Sequence, residues 1–294
     1  MIIGVDLGNY AVKTSENLHF LSKVIESNGF YGDKEICFEG KKIIVGEGEF
    51  QTDFNKSLKE NTLPLLFSAL ALSHPYEECF EVVLGLPIQQ YKNNKQELID
   101  YIKENRCKQI IHKGHTRNIT ICDVTIAPEG ASVYYNLPKD IRHKINTKQL
   151  VIVDIGGRTT DVCLFKNKQI KKYKTIPSGI LNVYSDVVNV VNEEYTTNLP
   201  LEDAEEIIEK ELFINGETRD RGFIKQILKL HFDSIFKELQ LNFDISQGYV
   251  LLTGGGSNIF KKAFSNRLNN LIISSDSIFD NVKGFKKIGE KLWR

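Results

Sequence analysis

Neither charge is in excess in this chain: 38 lysines and arginines balance 38 aspartates and glutamates over 294 residues. There is therefore no global basic field of the kind direct nucleic-acid binders use to neutralise phosphates. No apolar stretch approaches the roughly 18 residues of a membrane span, and Met1 leads straight into a strand-like run with no sign of a secretory leader. Metal-type cysteine spacing is missing too. Cys37, Cys79, Cys107, Cys122 and Cys163 are odd in number and scattered, as expected of reduced cytosolic thiols, and all five read as small buried apolar residues. No segment is of low complexity. What remains is a cytoplasmic globular protein, 41% hydrophobic and 26% charged, long enough for two modest cores. Neither direct nucleic-acid binding nor membrane binding is expected of it.

One device is written twice. Ile3–Lys13 recurs in the middle of the chain as Val151–Val162. In each copy a β-branched run delivers an aspartate, Asp6 or Asp154, to the lip of a strand. A glycine-containing turn follows, and a second apolar run returns as the partner of a hairpin. Glycine lets the backbone N–H groups of Gly8-Asn9-Tyr10 and of Gly156-Gly157-Arg158-Thr159 approach an anion, while the aspartate can hold a hydrated divalent cation. The pattern predicts two phosphate clamps facing each other across a cleft. A third junction, Tyr249–Thr253 followed by Gly254, Gly255 and Gly256, ends a buried-type strand in bare backbone against which a flat ring can lie.

The intervening sequence supplies the frame. Helical spacing of Leu63, Leu66, Ala69 and Leu70 predicts a helix with Pro64 in its first turn. A strand over 80–87 precedes a helix around 95–105. Beyond the second clamp, a strand is expected over 170–175 and a helix from Ser178-Gly179, whose N-terminal N–H groups would point at the phosphates. Helices are also expected over 201–208 and 223–241. Between the hairpins, Pro128-Glu129 places a carboxylate at the start of a helix running through Val133 to Asn136, where it can orient an attacking water or merely complement the helix dipole.

Asp6-Leu7-Gly8, Asp154–Asp161 and Thr253–Gly256 resemble, in order and separation, the phosphate-1, phosphate-2 and adenosine motifs of the actin-like ATPase superfamily. Gly85-Leu86-Pro87, Pro128-Glu129 and the closing run Asn281–Gly289 resemble its bacterial plasmid-partitioning members, the ParM group. The resemblance implies an α/β, actin/ribonuclease-H-like duplicated fold. Two large halves, 1–150 and 151–294, would flank a nucleotide cleft, with small subdomains inserted at about 28–60 and 192–222. Gly284 and Gly289 weaken the helical reading of the tail, which by resemblance packs as the last piece of the second half.

The resemblance also assigns roles. Glu129 would position the water; Asp154, with Asp6 on the opposite lip, would hold Mg²⁺ through water; Lys13 would contact phosphate. Asp161 either orders water or serves the hairpin, and Arg158 either reaches a phosphate or points into solvent. Either Glu205 or Glu206 would bond the ribose. The implied cofactors are ATP, with GTP use open, and Mg²⁺. The implied activity is an ATPase that assembles into filaments on MgATP and disassembles after hydrolysis, linked by an adaptor to centromere-like plasmid DNA. A non-polymerising small-molecule kinase and a nucleotide-gated scaffold are the alternatives.

Overall fold

Two strands buried at every position carry the molecule, Ile2–Leu7 and, at all but its first residue, Gln149–Ile155. Each pairs in parallel with a second strand of its own half, which explains why both read as continuous apolar runs rather than alternating ones. The structure is a computed structural model that describes residues 1–27, 34–51 and 59–294.

In chain order the first half contains β1 (Ile2–Leu7), β2 (Ala11–Thr14), β3 (His19–Leu21), β4 (Lys23–Glu26), β5 (Glu35–Phe38), β6 (Lys41–Phe50), α1 (Thr62–Ser73), β7 (Cys79–Leu86), α2 (Ile88–Glu104), β8 (Cys107–His112), β9 (His115–Pro128), α3 (Val133–Asn136) and α4 (Lys139–Lys144). The second half contains β10 (Gln149–Ile155), β11 (Thr160–Lys166), β12 (Gln169–Ile176), α5 (Ile180–Tyr195), α6 (Asp203–Glu209), β13 (Leu212–Ile214), β14 (Glu217–Arg219), α7 (Gly222–Asn242), β15 (Gly248–Thr253), α8 (Ser257–Ser265), β16 (Leu271–Ile273) and α9 (Asp280–Trp293). Among the described residues these form one sheet in the order β3-β2-β1-β7-β9-β8-β5-β6-β4, a second in the order β12-β11-β10-β15-β16, and the hairpin β13-β14. Separate apolar cores lie on the two sheets. The first gathers Ile3, Val5, Leu66, Phe67 and Phe80, and the second Val153, Val187, Phe236 and Phe264.

The duplicated α/β fold expected from the sequence is what forms. Helix α1 begins where Leu63 and Pro64 place it. Helix α2 begins at Ile88, earlier than periodicity indicated, because Pro87 ends the strand and its carbonyl accepts the N–H groups of Gln90 and Tyr91. The expected insertion near 28–60 contributes β5 and β6; its residues 28–33 and 52–58 lie outside the described part. The segment 192–222 contributes α6 and the β13-β14 hairpin.

Three expectations are corrected. Glu129 does not open a helix: β9 runs to Pro128, a turn with Gly130 at φ +70° follows, and α3 starts only at Val133. The tail is helical despite its glycines and lies against β1, β7 and α3 of the first half rather than on the second. The glycines are the reason. A Cβ on Gly284 would sit 2.1 Å from the Ser132 carbonyl oxygen, and one on Gly4 2.2 Å from that of Val282, so bare backbone sets the close approach. Finally, only Cys163 of the five cysteines is buried; Cys79 and Cys122, exposed on the neighbouring strands β7 and β9, form a disulfide, while Cys37 and Cys107 are free and not buried. Residues 43 apart in sequence meet because the parallel pairing of β7 with β9 brings them together.

Candidate functional site

The two clamps share one register. In the first hairpin β1 and β2 pair Asp6 with Lys13, and in the second β10 and β11 pair Asp154 with Asp161. Corresponding places therefore hold a cation in one half and an acid in the other. The Lys13 ammonium lies 3.8 Å from Asp6 Oδ2, while Asp161 accepts a hydrogen bond from the Thr175 hydroxyl on β12.

Between the hairpins lies a cavity of about 370 Å³, large enough for a small ligand. Asp6, Gly8, Asn9, Tyr10 and Lys13 line it from the first clamp, and Asp154, Gly156, Gly157, Arg158, Thr159 and Asp161 from the second. Glu129 reaches it from the turn after β9, Glu205 from α6, and Gly254, Gly255 and Gly256 from the end of β15. Gly254 adopts φ +87°, and a Cβ there would lie 2.4 Å from Asp154 Oδ1 and from the Ile155 carbonyl oxygen, so no side chain fits. Gly255 is the opposite case: exposed, with no atom within 4 Å of where a Cβ would be, it offers an open face of backbone.

Of the residues singled out from the sequence to hold the nucleotide, two do not line the cavity, Glu206 and Gly179. The N–H groups of Ile180 and Leu181 behind it donate to the carbonyls of Gly156 and Gly157 at 3.0 and 2.8 Å, so the start of α5 braces the second turn instead of presenting free donors. Glu206 also faces away and pairs with Lys210, which leaves Glu205 as the acid of that helix on the cavity wall. Arg158 lines the cavity. It reaches across to the first half and donates to the Gln51 carbonyl at 2.8 Å.

Other contacts cross the same gap. Tyr10, stacked on Phe50 of its own half with ring centres 5.7 Å apart, donates its hydroxyl to Glu205 at 3.3 Å and meets Tyr184 edge-on across the gap. Lys23 pairs with Glu202 at 2.6 Å.

At the floor of the cavity the acids crowd together. Burial pushes the Asp154 carboxyl up to about 7, with Glu129 and Asp6 acting in the same direction and Asn281 and Lys13 opposing. Burial, followed by the charge of Glu129, holds Asp161 well above the usual carboxylate range. Such a donor set suits a divalent cation that relieves the mutual repulsion. Among the described residues no three metal-type side chains come close enough to hold an ion directly.

Asn281 escaped the sequence reading. Its segment stood out only as a tail, yet its side chain lines the cavity and bonds Asp154 at 2.6 Å. Nothing local in sequence marks it.

A cleft between two halves, each offering an acid-tipped glycine hairpin, with a glycine turn closing one end, is the arrangement of an actin-type fold. The chain carries two actin-like family regions: residues 4–131 match the family described as actin like proteins N terminal domain, and residues 152–266 match archaeal actin homologue MreB-like, C-terminal. No curated protein sequence matches it. Among solved structures, the pCBH ParM non-polymerisable quadruple mutant is 19% identical, with 99% of each chain covered and a TM-score of 0.85. A 15-stranded ParM filament from Clostridium botulinum is 19% identical over 99% of each chain at 0.84. The archaeal actin homolog Ta0583 in complex with ADP is 19% identical over 99% of each chain at 0.83. At that identity the likeness is one of fold. Among the described residues no helix is long and apolar enough to cross a membrane.

Proposed function

We propose that this chain is an ATPase that assembles into filaments on MgATP and disassembles after hydrolysis. The observation that carries the reading is convergence: both hairpin turns and the glycine turn, distant in sequence, line one cavity between the halves. ATP binds with its phosphates between the turns at Gly8–Tyr10 and Gly156–Thr159, whose backbone N–H groups and the Lys13 ammonium receive the anionic oxygens. The base lies on Gly254–Gly256 and the ribose is bonded by Glu205. Mg²⁺, when bound through water by Asp154 and Asp6, neutralises phosphate charge beside these acids. Glu129 orients the attacking water and takes its proton as the oxygen adds to the terminal phosphorus, the ADP oxygen leaving in line.

A ligand that contacts both halves favours the arrangement in which they are close, and its cleavage removes that preference. The names of the neighbours support this reading, since one is a ParM filament and another an ADP complex. A role in plasmid segregation through a DNA-bound adaptor extends the same reading to the cell, and GTP is an alternative substrate for the same site.

Right-angle light scattering with phosphate release followed in the same cuvette tests the proposal, with GTP and ADP as controls. Scattering that rises only with a triphosphate and decays after phosphate release is expected. Phosphate release without scattering at any protein concentration would remove polymerisation; no release with either triphosphate would remove the ATPase itself.

A further inference from the structure

Helix α9 belongs spatially to the first half, and most of its attachments say so. Val282 and Phe285 are buried with Val83 and Ala127, Lys286 pairs with Glu16 at 2.7 Å, and the Trp293 indole donates to Asp123 at 3.0 Å. The first turn of the same helix does something different. The Asn281 carboxamide donates from Nδ2 to Asp154 Oδ2 at 2.6 Å and accepts at Oδ1 from the Gly130 N–H at 2.9 Å. A carboxamide has one donor end and one acceptor end, so this is the orientation that satisfies both partners.

The two partners belong to different halves. Asp154 is the acid tip of the second clamp, and Gly130 follows Glu129 in the turn after β9. The Glu129 N–H is itself held by the Leu86 carbonyl at 2.8 Å, so the turn is pinned by the first sheet on one side and by Asn281 on the other. One side chain thus ties the acid that faces the phosphates to the turn carrying the acid that faces the water.

We propose that Asn281 is a positioning residue for hydrolysis, fixing the Glu129 turn against Asp154; the inference rests on the ATPase reading. Reaction rates are sensitive to displacements of about 1 Å in such groups. Loss of a group that orients a metal-holding acid typically costs about 10–100-fold. Asn281 touches neither the water nor the phosphate in this scheme, so its loss acts on the chemical step more than on binding.

The test compares the wild-type chain with Asn281→Ala and Asn281→Asp, measuring kcat for phosphate release, the Kd for MgATP, and the emission of Trp293, the single tryptophan of the chain, which reports whether α9 stays seated. Asn281→Ala is expected to lower kcat by about 10–100-fold with Kd changed less than about threefold and Trp293 emission unaltered. Asn281→Asp keeps an acceptor for Gly130 but turns a second carboxylate on Asp154, and is expected to be at least as slow. An unchanged kcat in Asn281→Ala overturns the proposal, as does a loss matched by an equal weakening of Kd or by a shift in Trp293 emission. A wild-type chain that releases no phosphate would overturn the ATPase reading and this inference with it, a result that the wild-type measurement alone identifies.

Discussion

Lys23 of the first half and Glu202 of the second meet at 2.6 Å across the mouth of the cleft. The Lys23 ammonium also sits 4.4 Å from the centre of the Phe50 ring, and the residue is buried. Glu202 is about a third exposed, with 32% of its side chain accessible, so water damps the attraction and the pair is not a large store of stability. Its significance is geometric: it exists only while the two halves are close.

Lys23→Ala should therefore act on ligand affinity rather than on folding. A contact coupled to closure typically shifts affinity by about 5–150-fold, and a partly exposed pair belongs at the low end. MgATP is expected to bind several-fold more weakly to Lys23→Ala by titration, with little change in melting temperature. Equal affinity would show that this contact does not report on the bound arrangement.

Glu129→Gln keeps the size of the side chain and removes its capacity to take a proton. The expected result is a fall in kcat of about 10²-fold or more with ATP affinity preserved, measured by single-turnover phosphate release and equilibrium binding. Unchanged turnover would take the water from Glu129.

The buried acids give a pH signature. The Asp154 carboxyl, ordinarily near 3.8, is held at about 7 in the folded chain. The folded state therefore binds its proton more tightly than the unfolded state, and the stability so gained is complete below the ordinary value and lost as pH rises through 7. Asp161 acts in the same direction, while His19, lowered chiefly by burial, acts oppositely. Asp154→Asn fixes the uncharged form and isolates the effect. Without Mg²⁺, the melting temperature of wild type relative to Asp154→Asn should fall between acidic and alkaline buffer; parallel profiles would contradict it.

The seat of α9 depends on glycine. Gly284→Ala would press a Cβ into the Ser132 backbone at 2.1 Å, and overpacking of this kind typically costs about 1–3 kcal/mol. Each kcal/mol is worth about 2–4 °C in a domain of 150–250 residues. A drop of several degrees with a shift in Trp293 emission is expected, and an unchanged melt would mean that the helix can slide.

The clamps were legible because each is local: strand, turn and return strand lie within about a dozen residues, and the aspartate falls at the strand end in both copies. Gly254 was legible for the same reason, since a strand that ends in glycine advertises a backbone no side chain can replace. Asn281 was not, because its partners Asp154 and Gly130 are remote in sequence and only the docking of α9 on β1 brings it to the cleft. The disulfide was hidden similarly, as scattered cysteines give no spacing signal when strand pairing joins them. Arg158 was legible as a residue of the second turn, but its bond to the Gln51 carbonyl on the facing half was not, because that partner is remote in sequence.

Titration calorimetry of MgATP into the wild-type chain and Asp154→Ala most directly tests the claim that this cleft is a nucleotide site built from both halves. One ATP per chain, with affinity that rises on adding Mg²⁺ to wild type and loses most of that rise in Asp154→Ala, is the predicted result. No binding to wild type, or the same Mg²⁺ dependence in both proteins, would contradict it.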